Sequence, residues 1–121
     1  MELQRLEYDF TVCQINTFEH VDFTREFVFL SKTDDEISLV CESAYAPSNA
    51  TASEAGWKAL KISGILDFGM IGVIAKIATL LAEVDISIFV ISTYNTDYIL
   101  VKSENFKKSV HVLECNGYVI E

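Results

Sequence analysis

At 121 residues, half of them hydrophobic and including eight Phe and five Tyr, the chain suits one compact domain or two small ones sharing a core, and it is too short for a large multidomain enzyme. Nine Lys and Arg against 18 Asp and Glu give a net charge of -9, which repels the phosphate backbone of nucleic acids and anionic membrane surfaces. The most apolar stretch, Gly69 to Val84, is interrupted by Lys76 and Glu83 and falls short of a bilayer span, and no signal peptide is evident, so a cytoplasmic protein without nucleic-acid or membrane partners is expected.

Leu6, Tyr8, Phe10 and Val12 alternate with Glu7, Asp9, Thr11 and Cys13, the period of two that predicts a strand over 6–13. Phe27-Val28-Phe29-Leu30 and Ile37-Ser38-Leu39-Val40-Cys41 flank the polar run Lys32 to Glu36 and predict an antiparallel hairpin. Thr33 to Glu36 also fits a capping box, but no helical apolar period follows, which favours a turn. Residues 43–56, with the single Pro and many Ala, Ser, Thr and Asn, read as a linker, and Asn49-Ala50-Thr51 is a glycosylation sequon discounted without a secretory signal.

Trp57 to Ile65 reads as a strand, broken by Leu66-Asp67-Phe68-Gly69. Val73, Ile74, Ile77, Leu81 and Val84 fall at helical spacing and predict a helix over 70–84. Ile86 to Ile91 and Asp97 to Lys102 read as strands joined by a turn at Ser92 to Thr96. Ser103 then caps a second helix carrying Phe106, Val110 and Leu113 on one face, Gly117 stops it, and Tyr118 to Ile120 forms a last strand. From Trp57 the order is βαββαβ, the α+β ferredoxin-like arrangement of two helices on one face of a four-stranded antiparallel sheet.

Phe27 to Val40 aligns without gaps on Ile88 to Val101, matching Ser31 to Ser92, Glu36 to Asp97 and Leu39-Val40 to Leu100-Val101. The hairpin therefore occurs twice, with only a short connection where the second copy has its first helix. Residues 1–56 are expected to form a shortened unit and residues 57–121 a complete one.

Two segments carry the functional signal. Asp67-Phe68-Gly69-Met70-Ile71-Gly72 joins a strand end to a helix start, where free amides, the helix dipole and glycines suit a carboxylate. Alternatively, Asp67 merely caps the helix and Gly69 supplies a turn dihedral. Ser92-Thr93-Tyr94-Asn95-Thr96-Asp97, a polar hairpin tip between apolar flanks, offers hydroxyls, an amide and a carboxylate to an ammonium group, or is a plain solvated turn. Cys13, Cys41 and Cys115 read as reduced, mostly buried thiols with no metal or redox role, and His20 and His111 as packing or surface residues. No P-loop, dinucleotide fingerprint or catalytic constellation is present, and neither Arg5 nor Arg25 sits in an acylphosphatase-like motif, so no enzyme activity and no cofactor are expected.

Leu66 to Ile77 together with Ile91 to Val101 resembles ACT-domain proteins related to the aspartokinase regulatory region and to the animal cytosolic arginine sensors of the nutrient-signalling pathway. The likeness covers residues 57–121 and, through the repeated hairpin, extends to residues 6–45. It implies tandem ACT units, association as a homodimer, and a non-catalytic regulatory module that holds a free amino acid where units meet. Asp67 to Gly72 would supply backbone contacts and Ser92 to Asp97 would lie near the ligand, with Asp97 meeting its amino group. The alternative is an ACT-type dimerisation or protein-interaction module without a ligand.

Overall fold

The computed structural model describes residues 1–67 and 69–121. They divide into two compact units, one made of Met1–Glu7 with Lys58–Glu121 and the other of Tyr8–Trp57. Residues 1–7, expected with the N-terminal unit, pack with the C-terminal one, because Leu3 is fully buried in its core.

In the Tyr8–Trp57 unit, β2 (Phe10–Ile15), β3 (Val28–Lys32), β4 (Ile37–Glu42) and the first half of β5 (Ala52–Ile62) run in the order β3-β4-β2-β5, all antiparallel. One face buries Cys13, Ile15, Leu39 and Cys41. On another side Phe10 meets the Phe27 ring edge-on. The nearly inaccessible Glu42 accepts from Arg25 Nη2 at 3.3 Å, and the Arg25 guanidinium lies 4.1 Å from the Tyr45 ring centre. Thr33 N donates to the Glu36 carbonyl at 2.9 Å, so Thr33 to Glu36 is a turn, as its lack of helical period predicted.

The other unit contains β1 (Glu2–Arg5), the second half of β5, α1 (Val73–Ala82), β6 (Phe89–Ser92), β7 (Asp97–Lys102), α2 (Phe106–Cys115) and β8 (Val119–Ile120). Its strands run β6-β7-β5-β1-β8, with β1 antiparallel to β5 and parallel to β8. The βαββαβ order is as predicted, but among the described residues the sheet has five strands, because β1 enters between the first and last strands of the motif. Leu3, Leu60, Ile62, Ile99 and Val101 meet Ile77 and Leu81 of α1 and Val110 and Leu113 of α2 in one core. At roughly 1.5–3 kcal/mol for each large apolar side chain buried, this core is the main force holding the helices on the sheet.

Several boundaries moved for physical reasons. The first predicted strand, 6–13, is observed later, at Phe10–Ile15, and an unpredicted strand, Glu2–Arg5, precedes it. The predicted linker contains the start of β5, where Ala52, Ser53 and Glu54 oppose Gln14, Cys13 and Val12 through backbone pairing while their side chains stay exposed. Helix α1 begins at Val73 rather than residue 70, because Gly72 takes a left-handed φ of 79° as its cap. Ser103 does not cap α2; Ser103–Asn105 form a 3-10 turn, and Ser109 Oγ donates to the Asn105 carbonyl at 2.8 Å.

The repeated hairpin is real but one residue out of step with the gapless alignment. Lys32 pairs with Ile37 as Ser92 pairs with Asp97, and the 3-10 turns Ser43–Tyr45 and Ser103–Asn105 follow the two hairpins. Thr33 thus matches Thr93, and each bonds the carbonyl three residues on. A run such as Val28-Phe29-Leu30 is apolar on both faces, so a one-residue slip leaves its hydrophobic match intact.

Candidate functional site

After Ile62 the chain leaves the sheet. Ser63 N still donates to the Glu2 carbonyl at 3.0 Å, and Gly64, at φ 80°, turns the backbone outward. Leu66 N then donates to the Asn95 carbonyl at 2.7 Å, tying the β5–α1 loop to the β6–β7 hairpin tip. Asp67 Oδ1 accepts from Gly69 N at 2.9 Å and its carbonyl accepts from Met70 N at 3.0 Å, so the Asp67 side chain stabilises a loop turn and not the helix end. The left-handed dihedral belongs to Gly72, not Gly69. Lys76 N makes the first helical bond to the Gly72 carbonyl at 3.0 Å, and no side chain caps α1. Its leading amides lack carbonyl partners within the helix, and among the described residues no side chain bonds them.

At the hairpin tip, Thr93 N and Oγ1 both donate to the Thr96 carbonyl at 2.9 Å. Thr96 Oγ1 donates to the Ile62 carbonyl at 2.8 Å and the residue is 4% exposed. These two threonines therefore serve the tip's own geometry. Tyr94 stands out at 81% exposure, and Ser92 and Asp97 face each other across the last pair of the hairpin.

Loop and tip enclose one open cleft of about 350 Å³, within the size range of small-ligand sites. Of the expected residues, Asp67, Met70, Gly72, Ser92, Thr93, Tyr94, Thr96 and Asp97 line it. Gly69, Ile71 and Asn95 do not: the Gly69 amide is taken by Asp67, Ile71 is 96% exposed beside a second cavity with Lys76 and Tyr118, and Asn95 contributes its carbonyl to Leu66. Phe68, expected in the same loop, lies outside the described residues. Leu66, Val73, Ile74 and Ala75 join the lining unpredicted, because the helix starts later than its apolar period implied. Asp67 and Asp97 are the charged residues of the lining, which holds no Lys or Arg.

The cysteines divide. Cys13 and Cys41 are buried, and burial pushes the Cys13 thiol up and the Cys41 thiol up to about 11. Cys115 is exposed, and its Sγ lies 3.7 Å from His111 Nε2 one helical turn earlier. Among the described residues no group of three or more His, Cys, Asp or Glu forms a metal cluster, and no helix is long and apolar enough to cross a membrane.

The family model that matches residues 52–115 is that of the ACT domain. The chain is similar to the protein Atu0741 from Agrobacterium tumefaciens, at 27% identity and a TM-score of 0.86 over 99% of this chain and 91% of that one. It is also similar to a candidate C-terminal regulatory domain of aspartate kinase from Porphyromonas gingivalis, at 18% identity and a TM-score of 0.57 over 93% and 92%. A third similar structure is E. coli aspartokinase III in complex with aspartate and ADP, at 14% identity and a TM-score of 0.61, covering 95% of this chain and 32% of that one.

Proposed function

Because this chain belongs to the ACT-domain family, we propose that it is a non-catalytic regulatory module whose β5–α1 loop and β6–β7 tip hold a free amino acid. The observation that carries the reading is a single cleft shared by an uncapped helix start and the Asp97 carboxylate. A zwitterion answers both ends. Its carboxylate accepts from the leading amides of α1, gaining roughly 0.3–1 kcal/mol from the dipole beyond the hydrogen bonds themselves. Its ammonium group pairs with Asp97.

The charge of the cleft narrows the ligand. With two carboxylates and no cation in the lining, an acidic side chain about 6 Å from one of them meets a repulsion of about 3 kcal/mol at an effective dielectric near 20. Neutral and basic amino acids are favoured over aspartate and glutamate. Ligand binding would then bias the conformation or pairing of the module toward the state it contacts better.

Calorimetry and thermal shift against the twenty amino acids test the proposal. At a concentration of about 100 Kd the true ligand adds about 2.7 kcal/mol to stability, and Asp97→Asn raises its Kd at least tenfold. Absence of heat and thermal shift with all twenty sinks it.

One observation favours the second reading, a ligand-free dimerisation module. Ile65 is 78% exposed, and with Met70, Ile71 and Tyr94 it leaves apolar surface around the cleft that a second copy would cover. A concentration-independent dimer with no amino-acid ligand decides for that reading.

A further inference from the structure

We propose that His111 and Cys115 form a two-ligand site for a borderline-soft divalent cation such as zinc. Both sit on α2, one turn apart, where side chains at i and i+4 stand on the same face. Their donor atoms, Cys115 Sγ and His111 Nε2, are 3.7 Å apart. Two ligands of a tetrahedral zinc, with bonds of about 2.3 Å to sulfur and about 2.0–2.1 Å to nitrogen, stand about 3.6 Å apart. The resting distance between the two donors thus matches the bite of a tetrahedral metal.

The helix end is held in place around the pair. Asn116 Nδ2 donates to the Val112 carbonyl at 2.8 Å, and Asn116 N and Tyr118 N donate to the Leu113 carbonyl at 3.0 and 3.1 Å. Tyr118 is buried against the core. Both ligand residues are exposed, so a cation reaches them without rearrangement. Among the described residues no third ligand converges on them. Water would fill the remaining positions, leaving the cation with one protein ligand fewer than an open catalytic zinc site and two fewer than a closed structural one. On binding, the thiol proton leaves to solvent as the sulfur–metal bond forms. Thiolate with imidazole selects zinc, cobalt or nickel over magnesium and calcium.

Cobalt(II) is the probe, added to the reduced 121-residue chain while thiolate-to-cobalt charge transfer is followed in the near ultraviolet. The band should saturate at one cobalt per chain, be displaced by zinc, and be indifferent to excess magnesium. Cys115→Ser, which keeps Cys13 and Cys41, should abolish it, and His111→Ala should raise the cobalt midpoint at least tenfold. Circular dichroism confirms that both surface variants remain folded. No band, a band unchanged in Cys115→Ser, an unmoved midpoint in His111→Ala, or displacement by magnesium overturns the proposal. None of these outcomes depends on the amino-acid cleft.

Discussion

Replacing Thr96 with Val separates a residue that builds the cleft from one that would touch a ligand. Thr96 is 4% exposed, and its hydroxyl donates at 2.8 Å to the carbonyl of Ile62 at the end of β5. Valine keeps the shape and removes the donor, so a buried acceptor loses a partner at a cost of about 1–2 kcal/mol. Since 1 kcal/mol moves Tm by roughly 4–8 °C in small domains and 2–4 °C in larger ones, a drop of about 4–10 °C is expected here. In urea the midpoint should fall with the m-value unchanged. Thr96→Ser, which restores the donor, should recover most of the loss. A Thr96→Val protein melting within about 1 °C of the parent, or a Ser variant as unstable as the Val variant, would refute the assignment of this hydroxyl to the scaffold.

Arg25→Ala should lower the midpoint of chemical denaturation, because it leaves the nearly inaccessible Glu42 carboxylate without its cation, and adding Glu42→Gln should recover part of that loss. Gly72→Ala should cost about 1–2 kcal/mol from left-handed strain alone, since a Cβ there meets nothing within 4 Å. The Cys41 thiol is held neutral up to about 11 when folded, so the folded state keeps a proton that the unfolded chain releases near 8.5. That contribution is fully present below the unfolded value and is lost as pH rises through about 11; alkaline denaturation that spares Cys41→Ala and not the parent checks it. A fragment spanning 57–121 should fail to give a cooperative melt, because β1 pairs with both β5 and β8 and carries the buried Leu3.

The elements that announce themselves in the sequence are those whose side chains alternate between core and solvent. Ile77 and Leu81 of α1 and Val110 and Leu113 of α2 mark their helices in this way, and the hairpin around Ser92 to Asp97 is marked by its apolar flanks. Glu2–Arg5 and the start of β5 escaped because backbone pairing, not apolar side chains, holds them, and only Leu3 in the first is buried. The loop and tip that form the cleft were legible as segments. Which atoms remain available was not, since Asp67 and Thr96 spend their polar groups on the loop and the sheet. The spacing of four between His111 and Cys115 is readable in the sequence, where no metal role was expected of either residue.

The pairing of Leu6 N with the Ala59 carbonyl at 3.0 Å brings the ends of two neighbouring strands together where the chain departs at Glu7 and returns at Lys58. Residues 8–57 are therefore an excursion out of a body whose own two edges already meet. A two-residue Asn-Gly turn splicing Glu7 directly to Lys58 would make an ordinary hairpin of them. Such a shortened protein would retain the whole cleft on its native scaffold, whereas trimming from the amino terminus inward would strip a strand from it before reaching the excursion at all.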